Sequence, residues 1–198
     1  GGSRWRYLLR MDDDTFLCGH RLVWELESRA YPRERFFWGK YWCKQGRARA
    51  DENFMLFSRD VVRFIATNAG ALLPFDPAVT FAWNFGLWAW FLDLRIFDDQ
   101  ARIDSQQGYL TRYAHDEVAN VDSEEARAEY GEFCDRFIYA HHVTASVSAA
   151  LYNATQPRVM YEAPDIKGPR ETCTTSDLSF IPKRHSSKLP DIRVEPVS

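Results

Sequence analysis

The chain of 198 residues has no Cys-x-x-Cys pair, and its four cysteines, Cys18, Cys43, Cys134 and Cys173, stand far apart. That spacing argues against zinc and leaves buried free thiols or disulfides, with three possible two-disulfide connectivities. No apolar run is long enough to span a bilayer, and the sequence opens on Gly1-Gly2-Ser3 with neither an initiator methionine nor a signal peptide. The chain therefore reads as a fragment whose upstream targeting segment is expected to be missing. A large excess of charge of one sign is also absent. A net charge of −3 gives no electrostatic basis for holding nucleic acid or an anionic membrane surface, so no nucleic-acid partner is expected.

What is present is an apolar fraction of 45%, with 15% aromatic residues, enough for one globular domain with its own core. After Gln156 the composition shifts to Pro, Ser, Thr and charge. The expected organisation is a folded region over 1–155 and a poorly ordered polar tail over 156–198.

The densest chemical signal is Asp12-Asp13-Asp14, which follows the apolar stretch Tyr7-Leu8-Leu9. Three adjacent carboxylates repel one another unless solvent, a cation or a basic partner compensates them. The preceding residues read as a buried strand, and ligands of open α/β sheets bind beyond the carboxyl ends of strands. One reading of the triplet is a solvated turn capping a helix that starts near Thr15. A phosphatase-type Asp-x-Asp-x-Thr strand end fails, because Phe16 stands where the threonine should be. An EF-hand loop fails too, lacking the third ligand and the glycine. A hard divalent cation, Mg²⁺ or Mn²⁺, completed by substrate phosphates, fits best.

Apolar positions then predict an amphipathic helix from Phe16 to Ala30, with Leu22, Leu26 and Ala30 inward and Arg21, Glu25 and Arg29 on the other side, stopped by Pro32. Strands are predicted at Arg35–Gly39 and Asn53–Phe57. The intervening basic loop carries Lys40, Lys44, Arg47 and Arg49 with Tyr41 and Trp42. It reads as a solvated loop, or as one donating charge-assisted hydrogen bonds to a diphosphate and stacking a sugar on Trp42. Ser58 suits the start of a helix that ends near Asn68-Ala69-Gly70. Val79 to Leu94 is apolar all round and reads as a buried helix. Leu94–Phe97 resumes the sheet, the polar region 98–132 reads as a long loop carrying a helix, and Phe137–Ala140 forms a last short strand. His141 and His142 follow it, and Thr144 caps a helix over Ala145–Asn153. Two histidines at a strand end repeat the logic of the aspartates. Asn153-Ala154-Thr155 is a glycosylation sequon, which matters only in a secretory compartment.

Taken together, these segments resemble the β-1,3-galactosyltransferase and Fringe-like family of Golgi glycosyltransferases (glycosyltransferase family 31). The marks are the apolar strand running into Asp-Asp-Asp-x-Phe at Tyr7–Phe16, Phe37-Trp38-Gly39, the strand-to-helix segment Phe54–Val62, Asp99–Asp104, and Ala140-His141-His142. They occur in the family's order over roughly residues 5–155, corresponding to the C-terminal part of a family catalytic domain. The resemblance implies an α/β fold of the GT-A, Rossmann-like type, with a mixed sheet flanked by helices and the domain incomplete in this chain. It implies a hexosyltransferase moving galactose or N-acetylhexosamine from a UDP-sugar to a glycan hydroxyl with inversion, typically forming a β-1,3 linkage. Mn²⁺ is the implied cofactor, the UDP-sugar donor and glycan acceptor the implied partners. The implied location is the lumenal side of the Golgi membrane, with attachment through the absent upstream segment. Residue by residue, Asp14 is the implied metal ligand, joined by His141 or His142, while Asp12 and Asp13 orient the nucleotide ribose or neighbouring waters.

Two departures from the family pattern stand out. Asp51-Glu52-Asn53 replaces a glycine-rich segment with tyrosine, and the Glu-Asp pair that supplies the family's catalytic base aligns here with Phe81 and Ala82. Neither can take a proton, which an inverting transfer requires. Asp76 is the nearest acid and the substitute candidate, followed by Asp51 and Glu52. The alternative expectation is a non-catalytic member that keeps the fold without the base; a soluble α/β interaction domain with an acidic turn is the third.

Overall fold

The computed structural model describes residues 5–44, 47–68, 85, 89, 94–99, 102–104, 123–158, 160 and 161. It is a mixed α/β protein. Its described residues fall into two compact units, one within Gly1–Arg10 and Pro32–Asp99, the other within Met11–Tyr31 and Gln100–Asp165.

Among the described residues the first unit is built on a four-stranded sheet in the order β1-β4-β3-β5, comprising β1 (Tyr7–Met11), β3 (Phe36–Lys44), β4 (Arg47–Ser58) and β5 (Arg95–Asp98). β3 runs antiparallel to β4, pairing Phe37 with Phe57 and Gly39 with Met55, and parallel to β5, pairing Phe36 with Arg95. The sheet is therefore mixed. Aromatic residues favour strands because their rings pack on the pleated surface, and alternation sends successive ones to opposite faces. Phe37 and Phe57 join Phe85, Ala89, Ile96 and Val61 of helix α2 (Arg59–Asn68) in one core, with the Phe37 and Phe57 rings each 5.0 Å from that of Phe85. Trp38 donates its indole N–H to Oδ2 of Asp99 at 2.9 Å, which satisfies both polar groups of a buried pair. Gly39 is required by close approach, since a Cβ there would lie 2.7 Å from both the Phe54 carbonyl oxygen and the Phe37 ring.

Two expectations for this unit are corrected. The presumed basic loop is strand: β3 continues to Lys44 and β4 begins at Arg47, in register from Tyr41↔Ala50 to Lys44↔Arg47. Backbone pairing and the burial of Tyr41 override the polar composition. β1 is a terminal strand of the sheet among the described residues, and Leu8 is 42% exposed, so it is not the buried strand that its apolar residues suggest. Ser58 does mark the strand-to-helix junction, its Oγ accepting the Phe36 N–H at 3.0 Å and donating to Asp60.

The second unit holds a three-stranded sheet in the order β2-β7-β6, with β2 at Thr15–Leu17, β6 at Ile103–Asp104 and β7 at Tyr139–His141. β2 is antiparallel to β7, β6 parallel to it. Among the described residues the unit also contains helices α1 (Gly19–Ser28), α3 (Glu124–Arg136) and α4 (Ala145–Ala154). Phe16, Tyr130, Phe133, Ala140, Val147 and Leu151 form its core, together with a disulfide between Cys18 and Cys134. Ser123 caps α3 by accepting the Ala126 N–H, and Thr144 caps α4 by accepting that of Val147, as expected for the latter.

Here too the helix predicted from Phe16 begins later, at Gly19. Thr15-Phe16-Leu17 is spent on β-pairing with His141-Ala140-Tyr139, which buries Phe16. The polar face of α1 is also misread by periodicity. Arg21 and Glu25 are buried and Val23 is 53% exposed, because Glu25 is held by Arg21 at 3.0 Å, by Arg102 and by the Tyr31 hydroxyl at 3.0 Å. A buried charge is tolerable when paired and hydrogen-bonded in this way. The last strand is displaced to Tyr139–His141, since Phe137 caps the end of α3. Asp76, Phe81, Ala82, all of the predicted buried helix except Phe85, Ala89 and Leu94, and the tail beyond residue 161 lie outside the described residues.

Candidate metal centre

Antiparallel pairing of β2 with β7 places Thr15 opposite His141. The acidic turn that leads into β2 therefore meets the histidine pair that leaves β7. The Val143 N–H donates to the Asp14 carbonyl at 2.9 Å, and the Thr15 hydroxyl donates to the Asp12 carbonyl at 2.7 Å, fixing the two turns against each other.

Consecutive residues of an extended strand point to opposite faces, so two adjacent histidines would ordinarily diverge. His142 has φ 59°, in the left-handed region. That turn brings its ring onto the same side as His141, and the two rings stack with centroids 3.8 Å apart. A non-glycine residue there carries roughly 1–2 kcal/mol of strain, and such outliers cluster at functional sites.

Both imidazoles face one carboxylate. His141 Nε2 lies 3.2 Å from Asp14 Oδ1, and His142 Nδ1 lies 3.0 Å from Asp14 Oδ2. His141 Nε2 is also 3.6 Å from Asp12 Oδ2. Asp14, His141 and His142 each offer a ligand atom, all within 4.8 Å of one another. For an octahedral cation with ligands at about 2.1 Å, neighbouring ligand atoms stand about 3 Å apart, so the two shortest separations suit a shared ion. The donor set, one carboxylate oxygen and two imidazole nitrogens, is acceptable to Mn²⁺ and to later divalent metals. His141 is nearly enclosed at 9% side-chain exposure, whereas Asp14 and His142 are each 45% exposed. One of the three candidate ligands is thus anchored in the fold while solvent reaches the other two.

Of the residues singled out in the sequence, Asp12, Asp14, His141 and His142 converge. Asp13 is exposed and lies instead, with Asp14, Thr15, Ser148, Tyr152 and Asn153, along an open concavity of about 870 Å³ between β2 and α4. Asp51 and Glu52 are strand residues of β4, Asp51 being buried and accepting the Asn53 N–H. The sequence reading missed the Arg21–Glu25–Arg102 cluster. Burial would raise the Glu25 carboxyl, but the hydrogen bonds and charge of Arg102, aided by Arg21 and Tyr31, hold it below its usual value. Burial and the adjacent Glu25 push the Tyr31 phenol up.

Comparison with family models, with curated proteins and with solved structures returns no match to this chain.

Proposed function

We propose that this protein is a metal-dependent hexosyltransferase of GT-A type that transfers a sugar from a UDP-sugar to a glycan hydroxyl with inversion, as the resemblance to the β-1,3-galactosyltransferase and Fringe-like family implies. The observation that carries the reading is the meeting of Asp14 with His141 and His142, more than a hundred residues apart in sequence, at adjoining strand ends. Asp14, His141 and His142 hold the cation, and Asp12 and Asp13 orient the nucleotide. When bound, Mn²⁺ neutralises charge on the departing diphosphate as a Lewis acid. Asp76 takes the proton of the acceptor hydroxyl, the one step for which an inverting transfer needs a base. The Cys18–Cys134 disulfide accords with an oxidising compartment such as the Golgi lumen.

A second reading is favoured by Phe81-Ala82, which stands where the family's acidic pair is expected. In it the chain keeps the metal and nucleotide site but does not transfer sugar. Thermal unfolding with Mn²⁺ and UDP tests what the readings share. Ligand at about 100 times its Kd adds about 2.7 kcal/mol of stability. Absence of a shift, or one unaltered by Asp14→Ala, contradicts both. Transfer to an acceptor separates them, and Asp76→Asn is expected to cost at least about 10²-fold in rate.

A further inference from the structure

The sequon at Asn153 is the only Asn-x-Ser/Thr triplet in the chain. Asn153 is exposed near the end of α4, next to Tyr152, which is 78% exposed, so a bulky substituent on its amide meets solvent. A second observation bears on compartment. Cys18 and Cys134 are joined in the core of the same unit, at 0% and 2% exposure, and such bonds form and persist where the surroundings are oxidising. The secretory lumen supplies both the oxidant for that bond and the machinery that reads the sequon.

We infer that Asn153 is an N-glycosylation site. The Asn153 amide nitrogen forms a bond to the anomeric carbon of an oligosaccharide carried on a lipid pyrophosphate. The anomeric C–O bond to the carrier breaks, the lipid pyrophosphate leaves with that electron pair, and the amide gives up one proton. Thr155, whose hydroxyl completes the sequon, is 8% exposed and donates to the Leu151 carbonyl at 2.8 Å. Transfer therefore acts on the chain before α4 closes over that hydroxyl. Once folded, the glycan stands on the wall of the concavity that Asp13 and Asp14 also line. None of this rests on the sugar-transfer reading of the metal centre.

The test is peptide mass mapping of the full chain, expressed behind a secretory leader in eukaryotic cells and recovered from both medium and cell lysate. Occupancy is thereby read whether or not the protein is exported. The expected result is a peptide containing Asn153 that bears an N-glycan, removable by peptide amidase with conversion of Asn153 to Asp. Thr155→Ala is expected to abolish the modification, and Thr155→Ser to retain it. An unmodified Asn153 peptide in both fractions, from chain whose Cys18–Cys134 bond has formed, overturns the inference.

Discussion

His141 and His142 are neighbours in the chain, yet their rings stack 3.8 Å apart on one side of the backbone because His142 adopts φ 59°. The strain of that turn and the convergence on Asp14 are one structural fact. Substituting His142 separates the two. His142→Gly removes the candidate ligand and the conformational penalty together, whereas His142→Val removes the candidate ligand and worsens the penalty. In denaturant titrations without added metal, the glycine variant is expected to exceed the valine variant by about 1–2 kcal/mol. Both are expected to lose metal-induced stabilisation. Equal stability of the two would show that the left-handed turn at this position carries no strain.

Glu25 is fully buried between Arg21 and Arg102. Breaking a buried ion pair by removing one partner typically costs about 3–5 kcal/mol, so Glu25→Gln is expected to lower stability by that order at neutral pH. The pH dependence follows from the sign of the shift. The Glu25 carboxyl titrates below its reference value of 4.5 in the folded protein, so its contribution is complete above that value and is lost as pH falls through the folded one. Urea unfolding across this range is expected to show the gap between wild type and Glu25→Gln closing on acidification. A constant gap would contradict the assignment.

The Cys18–Cys134 bond closes a separation of 116 residues and links the residue ahead of α1 to α3. Removing a native disulfide commonly costs about 2–5 kcal/mol. Cys18→Ser is expected to fall in that range, and reduction of the wild type to lower its unfolding midpoint to match. Because Cys18 follows β2 closely and its N–H donates to the Ile138 carbonyl just ahead of β7, metal affinity should weaken along with stability. Unchanged unfolding on verified reduction would remove the bond from the account.

How far the sequence foretold this arrangement differs from element to element. Thr144 and the small apolar residues after it specified α4, because capping and propensity are local and nothing distant competes with them. Thr15 suits a helix start by its local chemistry, yet it is strand, because the partner β7, more than a hundred residues away, pairs with it. The basic stretch at 40–49 reads as loop from its charge, and the backbone pairing that makes it strand leaves no mark in composition. Periodicity sets Glu25 on the solvent face, and its burial depends on Arg102, 77 residues away, which no local pattern reveals. The acidic triplet and the histidine pair stand out in the sequence as candidate ligands, but the left-handed turn that brings both rings to one carboxylate does not, because it depends on the backbone that follows β7.

In the proposed function Asp14, His141 and His142 together hold one divalent cation. Calorimetric titration of the full chain with Mn²⁺ reads this without any sugar acceptor. Binding of one ion per chain is expected, weakened by more than about 100-fold in Asp14→Ala and in His141→Ala, since losing residues that merely hydrogen-bond a metal ligand already costs about 10–100-fold. No Mn²⁺ binding by the folded wild type, or binding that Asp14→Ala leaves intact, would contradict it.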